Sequence, residues 1–440
     1  GICGYIGPKK IEPDILWKMN NTMYHRGPND GGIWQKQEIK REVGLAQRRL
    51  SIIDLSELGH QPMHSLDQRY VIVYNGEIYN FMQIRKELER DGYHFLSNCD
   101  TEVILYAYIK WGNECFEKFN GMFAIALYDT KECKLVLARD RVGKKPLYYY
   151  YKQGHFVFGS ELKPIMMYPF FDKEVDKDVI SHYLCNKYLA APMCIFKNTY
   201  KMIPGTILEY QNDEIKRITY WDVVDQYNQG SSKKMSDYQE CKYAIDDILQ
   251  DAISSRLVAD VPVGTFLSGG IDSTLVTAIA QKNASSPVNT YSIGFHDEER
   301  NEAPYSAEIA RYLGTKHHEH YVEEQDIFEL IDDLPQYFDE PFSDSSQLPT
   351  MLVSKFASHD ITVALSGDGG DEVFCGYKMY DWTWIAQHFD LCGVIVYHLP
   401  GRAKWNEKLP PELRAFINNR EKYRKNIKEF KGKYYNKKWN

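Results

Sequence analysis

The stretch Val261-Pro262-Val263-Gly264-Thr265-Phe266-Leu267-Ser268-Gly269-Gly270-Ile271-Asp272-Ser273 sets the strongest limit on what this chain can fold into. An apolar β-type run breaks into small residues and then opens an apolar helix carrying Leu275, Val276, Ala278 and Ile279. Glycines at 269 and 270 permit backbone conformations closed to other residues and let a ligand come close, while the first N–H groups of the helix are unpaired donors at its positive end. Ser268 and Ser273 add hydroxyl donors, and Asp272 is a carboxylate suited to a magnesium ion shared with phosphate oxygens. No Lys follows the glycines, which excludes a Walker-type loop. The unit reads as strand, loop and helix built to hold a phosphate; stripped of its flanks, Ser-Gly-Gly reads equally well as an ordinary turn.

At 440 residues, 43% of them hydrophobic, the chain is long and apolar enough for two or more packed domains. A net charge of −8 argues against nucleic acid as the main partner, and the basic tail from Lys404 to Lys438 reads as solvated faces of surface helices. Nine cysteines without a C-x-x-C pair or metal spacing point to reduced thiols in a cytoplasm. No apolar run is long enough to span a membrane, and the start has no signal-peptide architecture.

Residues 1–195 alternate short strands (Tyr70 to Tyr74, Met122 to Tyr128, Leu135 to Ala138, His155 to Phe158) with helical patterns over Ile11 to Tyr24 and Phe81 to Asp91. A layered α+β domain fits. Residues 196–235 read as a connecting segment ending in the polar linker Gln229 to Lys234, and residues 236–440 as a second domain. In that second domain Thr290 to Phe295, a segment after His317 to His320, and Thr362 to Leu365 read as strands alternating with helices, which predicts a parallel, doubly wound sheet with ligands at the carboxyl ends of its strands. His317, His318 and His320 lack metal-ligand spacing and read as a polar strand edge.

Small motifs punctuate the first half: His25-Arg26-Gly27-Pro28, Arg49-Leu50-Ser51-Ile52-Ile53-Asp54, Tyr74-Asn75-Gly76-Glu77, Cys99-Asp100-Thr101-Glu102, Arg139-Asp140-Arg141-Val142-Gly143-Lys144-Lys145-Pro146 and Ser160-Glu161-Leu162-Lys163. Singly each has a plain reading: Arg49 as a surface ion-pair partner, Asn75-Gly76 as a hairpin turn, Asp100 with Thr101 as a helix cap. Together and in order they resemble the class II glutamine amidotransferase domain, which implies an N-terminal-nucleophile hydrolase fold of two stacked antiparallel sheets flanked by helices. From Ala259-Asp260 through Glu372 to Tyr377 the second half resembles the synthetase domain of glutamine-hydrolysing asparagine synthetases, with SGGIDS as their pyrophosphatase-type (PP) loop and Ser366-Gly367-Asp368-Gly369-Gly370-Asp371 as its partner motif.

The resemblance implies a cytoplasmic ligase that adenylates L-aspartate with ATP and Mg²⁺ and amidates the β-aspartyl-AMP with ammonia from L-glutamine, with no membrane or nucleic-acid partner and a homodimer as the assembly to test. It assigns the run Arg49, Leu50, Ser51, Ile52 and Ile53 to glutamine, Arg49 taking the α-carboxylate. Glu77 and Asp100 hold the α-ammonium, and Asn75 with Gly76 forms the oxyanion hole. Leu267, Ile293, Ser366 and Gly367 line the nucleotide, Ser268, Gly269, Gly270, Asp272 and Ser273 take pyrophosphate and magnesium, and Asp371 is a second magnesium ligand. Asp368 stands where the family carries an acidic residue, often Glu, needed for the adenylate.

Two departures accompany the match. The family's nucleophile is an N-terminal Cys whose own amine serves as base. Here Gly1-Ile2-Cys3-Gly4-Tyr5-Ile6 fits the pattern from its second position onward, so the nucleophile is expected immediately before Gly1, with Cys3 after processing as the alternative. The family also continues well beyond Glu372, and the sequence reads as a fragment at both ends. Two other functions stay open: an adenylating amidotransferase with a different carboxylate acceptor, and a nucleotide-binding regulator without glutaminase activity.

Overall fold

Strict alternation builds the first half. In β1 (Ile2–Gly7), Ile2 and Ile6 enter one apolar cluster while Cys3 and Tyr5 enter another, and all four are buried. A strand buried on both faces must lie between two layers. The computed structural model describes residues 1–297, 301–377 and Tyr380, and places β1 inside a six-stranded sheet of order β10-β8-β9-β1-β3-β2. Its partners are β2 (Asp30–Gln37), β3 (Glu42–Arg49), β8 (Tyr148–Lys152), β9 (His155–Gly159) and β10 (Thr199–Lys201). The second sheet, order β12-β11-β7-β6-β5-β4, uses β4 (Met63–His64), β5 (Tyr70–Ile78), β6 (Gly121–Asp129), β7 (Lys134–Arg139), β11 (Thr206–Gln211) and β12 (Glu214–Thr219).

Every pairing in both sheets is antiparallel. Their facing sides meet in one core, where Ile2, Val43 and Leu45 pack with Val71, Val73, Ala124 and Leu137. Helices Phe81–Arg90 and Asp100–Trp111 cover the outer face of one sheet, and helices Pro13–Asn21 and Leu162–Met166 cover the other. The result is a helix, sheet, sheet, helix stack, as the resemblance implied.

Two local readings change. Asn75-Gly76 is no hairpin turn: it lies inside β5, paired with Ala124 and Phe123 of β6. Residues 199–219, expected within a connecting segment, supply β10, β11 and β12 and so complete both sheets, because Ile207, Leu208 and Tyr210 are buried core residues. The polar linker begins inside helix Val223–Ser231.

Beyond it, helix Tyr238–Arg256 leads to a parallel sheet of order β15-β14-β13-β16, formed by β13 (Val263–Phe266), β14 (Asn289–Gly294), β15 (Lys316–Tyr321) and β16 (Val363–Leu365). The three histidines lie within β15, an edge strand, where His317 meets the Thr290 hydroxyl at 2.8 Å and His318 stacks on Tyr291 at 4.8 Å. From β13 the chain winds outward through β14 and β15 and then returns to the other flank of β13 as β16. The order therefore reverses at β13, and the crevice above its carboxyl end is where a doubly wound sheet binds ligands.

Compactness divides the chain at a different place from the sequence motifs, into units 1–366 and 367–440. The described part of the second unit holds helix Gly370–Phe374, with Gly370 N–H donating to the Gly367 carbonyl at 3.1 Å. The tail from Lys404 to Lys438 lies outside the described residues. All eight cysteines among the described residues are free, and no helix among those residues is long and apolar enough to cross a membrane.

Candidate active site

The ends of β3 and β5 and the start of helix Asp100–Trp111 converge on a cavity of about 310 Å³, lined by Arg49, Asn75, Gly76, Glu77 and Asp100. Five side chains or backbones predicted from separate motifs are thus one site. Gly76 is required where it stands, since a Cβ there would lie 2.1 Å from the Met122 carbonyl oxygen on β6. Beside it, the Asn75 side-chain Nδ2 is buried without a hydrogen-bond partner among the described residues. An unpaired buried donor costs about 1–3 kcal/mol, a cost that makes chemical sense if a ligand oxygen completes it.

The opposite sign of charge is concentrated next to it. Glu77 is only 5% exposed, and burial first, then repulsion from Asp100, pushes its carboxyl up to about 7. Asp100 opens its helix, accepts from the Tyr74 hydroxyl at 2.8 Å and from Ile78 N–H at 3.1 Å, and is also pushed upward by burial despite those bonds. Two neighbouring carboxyls, both raised by burial, are a receptor for a cation, whose arrival lets both ionise.

Arg49 does more than face the cavity. Its Nη2 donates to the carbonyls of Ile53 and Asp54 at 3.3 and 2.5 Å, and its Nη1 to that of Ser56 at 3.2 Å. It thus folds the 50–56 loop around itself, and the surface ion-pair reading fails because the residue is buried with carbonyl partners. Leu50, Ile52 and Ile53 of that loop line the cavity. Ser51 lines an adjoining cavity with Arg49 and Leu50, and its N–H donates to Asn29 Oδ1 at 3.0 Å. The loop is also fastened from outside: Asp54 N–H donates to the Asp260 carboxylate at 2.8 Å, and Asp260 N–H to the Ile52 carbonyl at 2.9 Å.

Sequence reasoning missed His25, Arg26 and Lys145 as wall residues. Lys145 belongs to a motif of the resemblance but has no assigned place in the site; burial, then the nearby Arg26 charge, lowers its pKa. Its backbone N–H and that of Lys144 donate to buried Asp140 at 2.9 Å each, which turns the chain inward. The Cys3 alternative fits poorly. Its thiol is buried in the cluster on the far face of the sheet, pushed up to about 12 by burial, and is not part of the cavity wall. Gly1 stands beside that wall, its amine donating at 2.7 Å to the carbonyl of Arg48, a wall residue.

The phosphate-type loop occupies the switch point. After β13, Leu267 is buried and its N–H donates to Tyr291 of β14 at 2.9 Å, so its side chain belongs to the sheet. Gly269 takes φ +83, and Gly270 caps helix Ile271–Asn283. The Ser273 hydroxyl accepts from Ser268 N–H at 3.2 Å and lies 3.0 Å from the Ser268 hydroxyl, which in turn accepts from Gly270 N–H at 3.3 Å. Those bonds pre-shape the loop, as the helix N-terminus supplies further N–H donors. Asp272, in the first turn, has no ion-pair partner among the described residues. Ile293 is the penultimate residue of the neighbouring strand β14, and Ser366 follows β16. Gly367, Asp368 and Asp371 belong to the second unit, where Asp371 lies in the first turn of helix Gly370–Phe374.

Family models match both halves of the chain. The glutamine amidotransferase domain family matches residues 1–221, and the asparagine synthase family residues 244–439. A putative glutamine-hydrolyzing asparagine synthetase 2 of Methanocaldococcus jannaschii is 38% identical over 402 residues, which span 86% of this chain and 76% of that protein. The glutamine-hydrolyzing asparagine synthetases 3 and 1 of Bacillus subtilis are 33% identical over 406 residues and 30% identical over 456 residues. These alignments span 86% and 99% of this chain, and 63% and 70% of the two relatives.

Proposed function

This chain belongs to the glutamine-hydrolysing asparagine synthetase family, and from that premise we propose that it makes L-asparagine from L-aspartate, ATP and the ammonia of L-glutamine. The observation that carries the reading is the pairing, in one chain, of a cavity charged like an amino acid's complement with an anion-cradling loop at a sheet switch point. Arg49 takes the glutamine carboxylate, and Glu77 with Asp100 takes the ammonium. A cysteine joined to Gly1 would be the nucleophile, since the Gly1 amine lies on the wall residue Arg48 whereas Cys3 is buried on the far face. Its thiolate attacks the side-chain amide carbon, Asn75 Nδ2 and Gly76 N–H hold the oxyanion, and the C–N bond breaks to release ammonia; water then hydrolyses the thioester to glutamate.

In the second reaction the aspartate β-carboxylate attacks the α-phosphorus of ATP and the bond to the β-phosphate breaks, with charge on the departing pyrophosphate taken up by Ser268, Gly269, Gly270 and Ser273. Ammonia then attacks the acyl carbon and expels AMP. Asp272, and in the second unit Asp371, would hold Mg²⁺, which would supply charge neutralisation to the phosphates; Asp272 has no ion-pair partner among the described residues, which suits that ion. Asp368 supports the adenylate, and Leu267, Ile293, Ser366 and Gly367 border the nucleotide. The surroundings are those of a cytoplasmic enzyme, and a homodimer is the assembly to test.

The test is pyrophosphate release by protein carrying Cys before Gly1. Release that requires ATP, Mg²⁺ and aspartate together supports the reading. Release driven by another carboxylic acid while aspartate is inert replaces the acceptor, and ATP binding without any release favours the regulator.

A further inference from the structure

A buried chain of charges links the cavity wall to the parallel-sheet half. Glu161, whose side chain is 6% exposed, takes His25 Nε2 at 2.9 Å and Arg26 Nη1 at 3.2 Å on one oxygen and pairs with Lys163 at 2.7 Å through the other. His25 and Arg26 line the glutamine cavity. Lys163 also pairs with Asp339, whose Oδ2 accepts from Leu162 N–H at 2.5 Å and whose side chain is 5% exposed. Asp339 follows helix Glu324–Tyr337, and the ring of Tyr337 meets that of His25 edge-on at 5.5 Å.

These groups are mutually dependent. Burial opposes charge on Glu161, yet His25, Lys163 and Arg26 outweigh it and hold the carboxyl down at about 2. Lys163 is one cation between two buried carboxylates, so losing Asp339 leaves it free to swing toward Glu161 alone and loosens the Leu162 backbone that precedes it. Asp339 itself does not line the cavity. Its neighbour Glu340 makes equally buried bonds across the same boundary, to Ile195 N–H at 2.8 Å and Lys201 at 2.6 Å, but these partners do not line the cavity either. Two adjacent carboxylates thus share burial and bonding and differ in whether their partners lead to the glutamine pocket.

We infer that Asp339 is a positioning residue of the glutamine cavity, acting through Lys163 and Glu161 on His25 and Arg26. The inference rests on the reading of that cavity as the glutamine site. It means that the half containing the phosphate loop sets how well the other half holds glutamine.

Calorimetric titration of the full chain with L-glutamine tests it, since binding needs no turnover. Asp339→Asn, which keeps an oxygen for Leu162 N–H but drops the charge facing Lys163, weakens binding on the order of tenfold. Lys163→Met breaks the same link from the other side; the double variant weakens binding no further than Lys163→Met alone, because both lie on one path. Glu340→Gln lowers the melting temperature as much as Asp339→Asn yet binds glutamine like the parent. If the parent binds no glutamine, the site reading itself fails. If the parent binds and Asp339→Asn and Lys163→Met both match it, or if Glu340→Gln weakens binding as much as Asp339→Asn, the inference is overturned.

Discussion

The guanidinium of Arg49 donates to the carbonyl of Asp54 at 2.5 Å, closing the loop that forms one side of the cavity. With the carbonyls of Ile53 and Ser56 it uses three of its five N–H donors, leaving two for a ligand carboxylate. Arg49→Ala therefore removes both a ligand contact and the loop's internal brace. Kinetics with the two nitrogen donors checks this: ammonia-dependent synthesis stays near parental, while apparent glutamine affinity falls about thirtyfold to several thousandfold. Arg49→Lys recovers little, because an ammonium lacks the planar fork that reaches several carbonyls at once.

Glutamine use should depend on pH through Glu77. Burial and Asp100 raise its carboxyl to about 7 in the empty cavity, and only the ionised form attracts an ammonium. Affinity then falls as pH drops below about 7, by roughly tenfold per unit once most of the carboxyl is protonated. The same raised pKa penalises the folded state at pH values above the ordinary carboxylate range, fully so above about 7 and not at all in acid. Glu77→Gln is accordingly more stable than the parent at pH 8, shows no such gain at pH 4, and has a flat, weak glutamine affinity across pH. A pH series of glutamine titrations and thermal melts reads both effects.

Asn75→Ala deletes the orphan donor without touching the β5–β6 pairing. Loss of one such donor slows glutamine hydrolysis on the order of 10²- to 10³-fold, with a melting temperature at or above the parent's because the unpaired amide is gone. Glutamine binding changes little. An equal loss in binding and turnover would assign Asn75 to the ground state and not to the oxyanion.

Gly269→Ala introduces a side chain at φ +83, with its Cβ 3.1 Å from Tyr305. The strain falls on the loop that follows β13. ATP-dependent pyrophosphate release drops by at least about tenfold, a cost in keeping with roughly 1–3 kcal/mol for a non-glycine residue held there, while glutamine hydrolysis in the other half persists. Parallel assays of the two half-reactions separate this outcome from global unfolding.

Periodicity and small-residue motifs made much of this legible in sequence: alternating strands, the glycine-rich turn after β13, and the ordered motifs that meet at the cavity. What escaped depended on partners distant in sequence. Asn75-Gly76 carries hairpin chemistry, yet the pairing of Tyr70–Ile78 with Gly121–Asp129 runs straight through it. Lys145 sits amid charged neighbours, and only the Asp140 side chain gathering its backbone turns it inward. Residues 199–219 contain Pro204-Gly205 and run toward the polar linker, but their apolar positions match open sheet edges that no local rule reveals.

The bond from Asp54 to Asp260 joins residues 206 positions apart. Synthesis must therefore have reached Asp260 before the loop over the cavity can be pinned in place. The earlier-made half waits, with its amino-acid cradle unfastened, until the segment leading into the phosphate loop emerges.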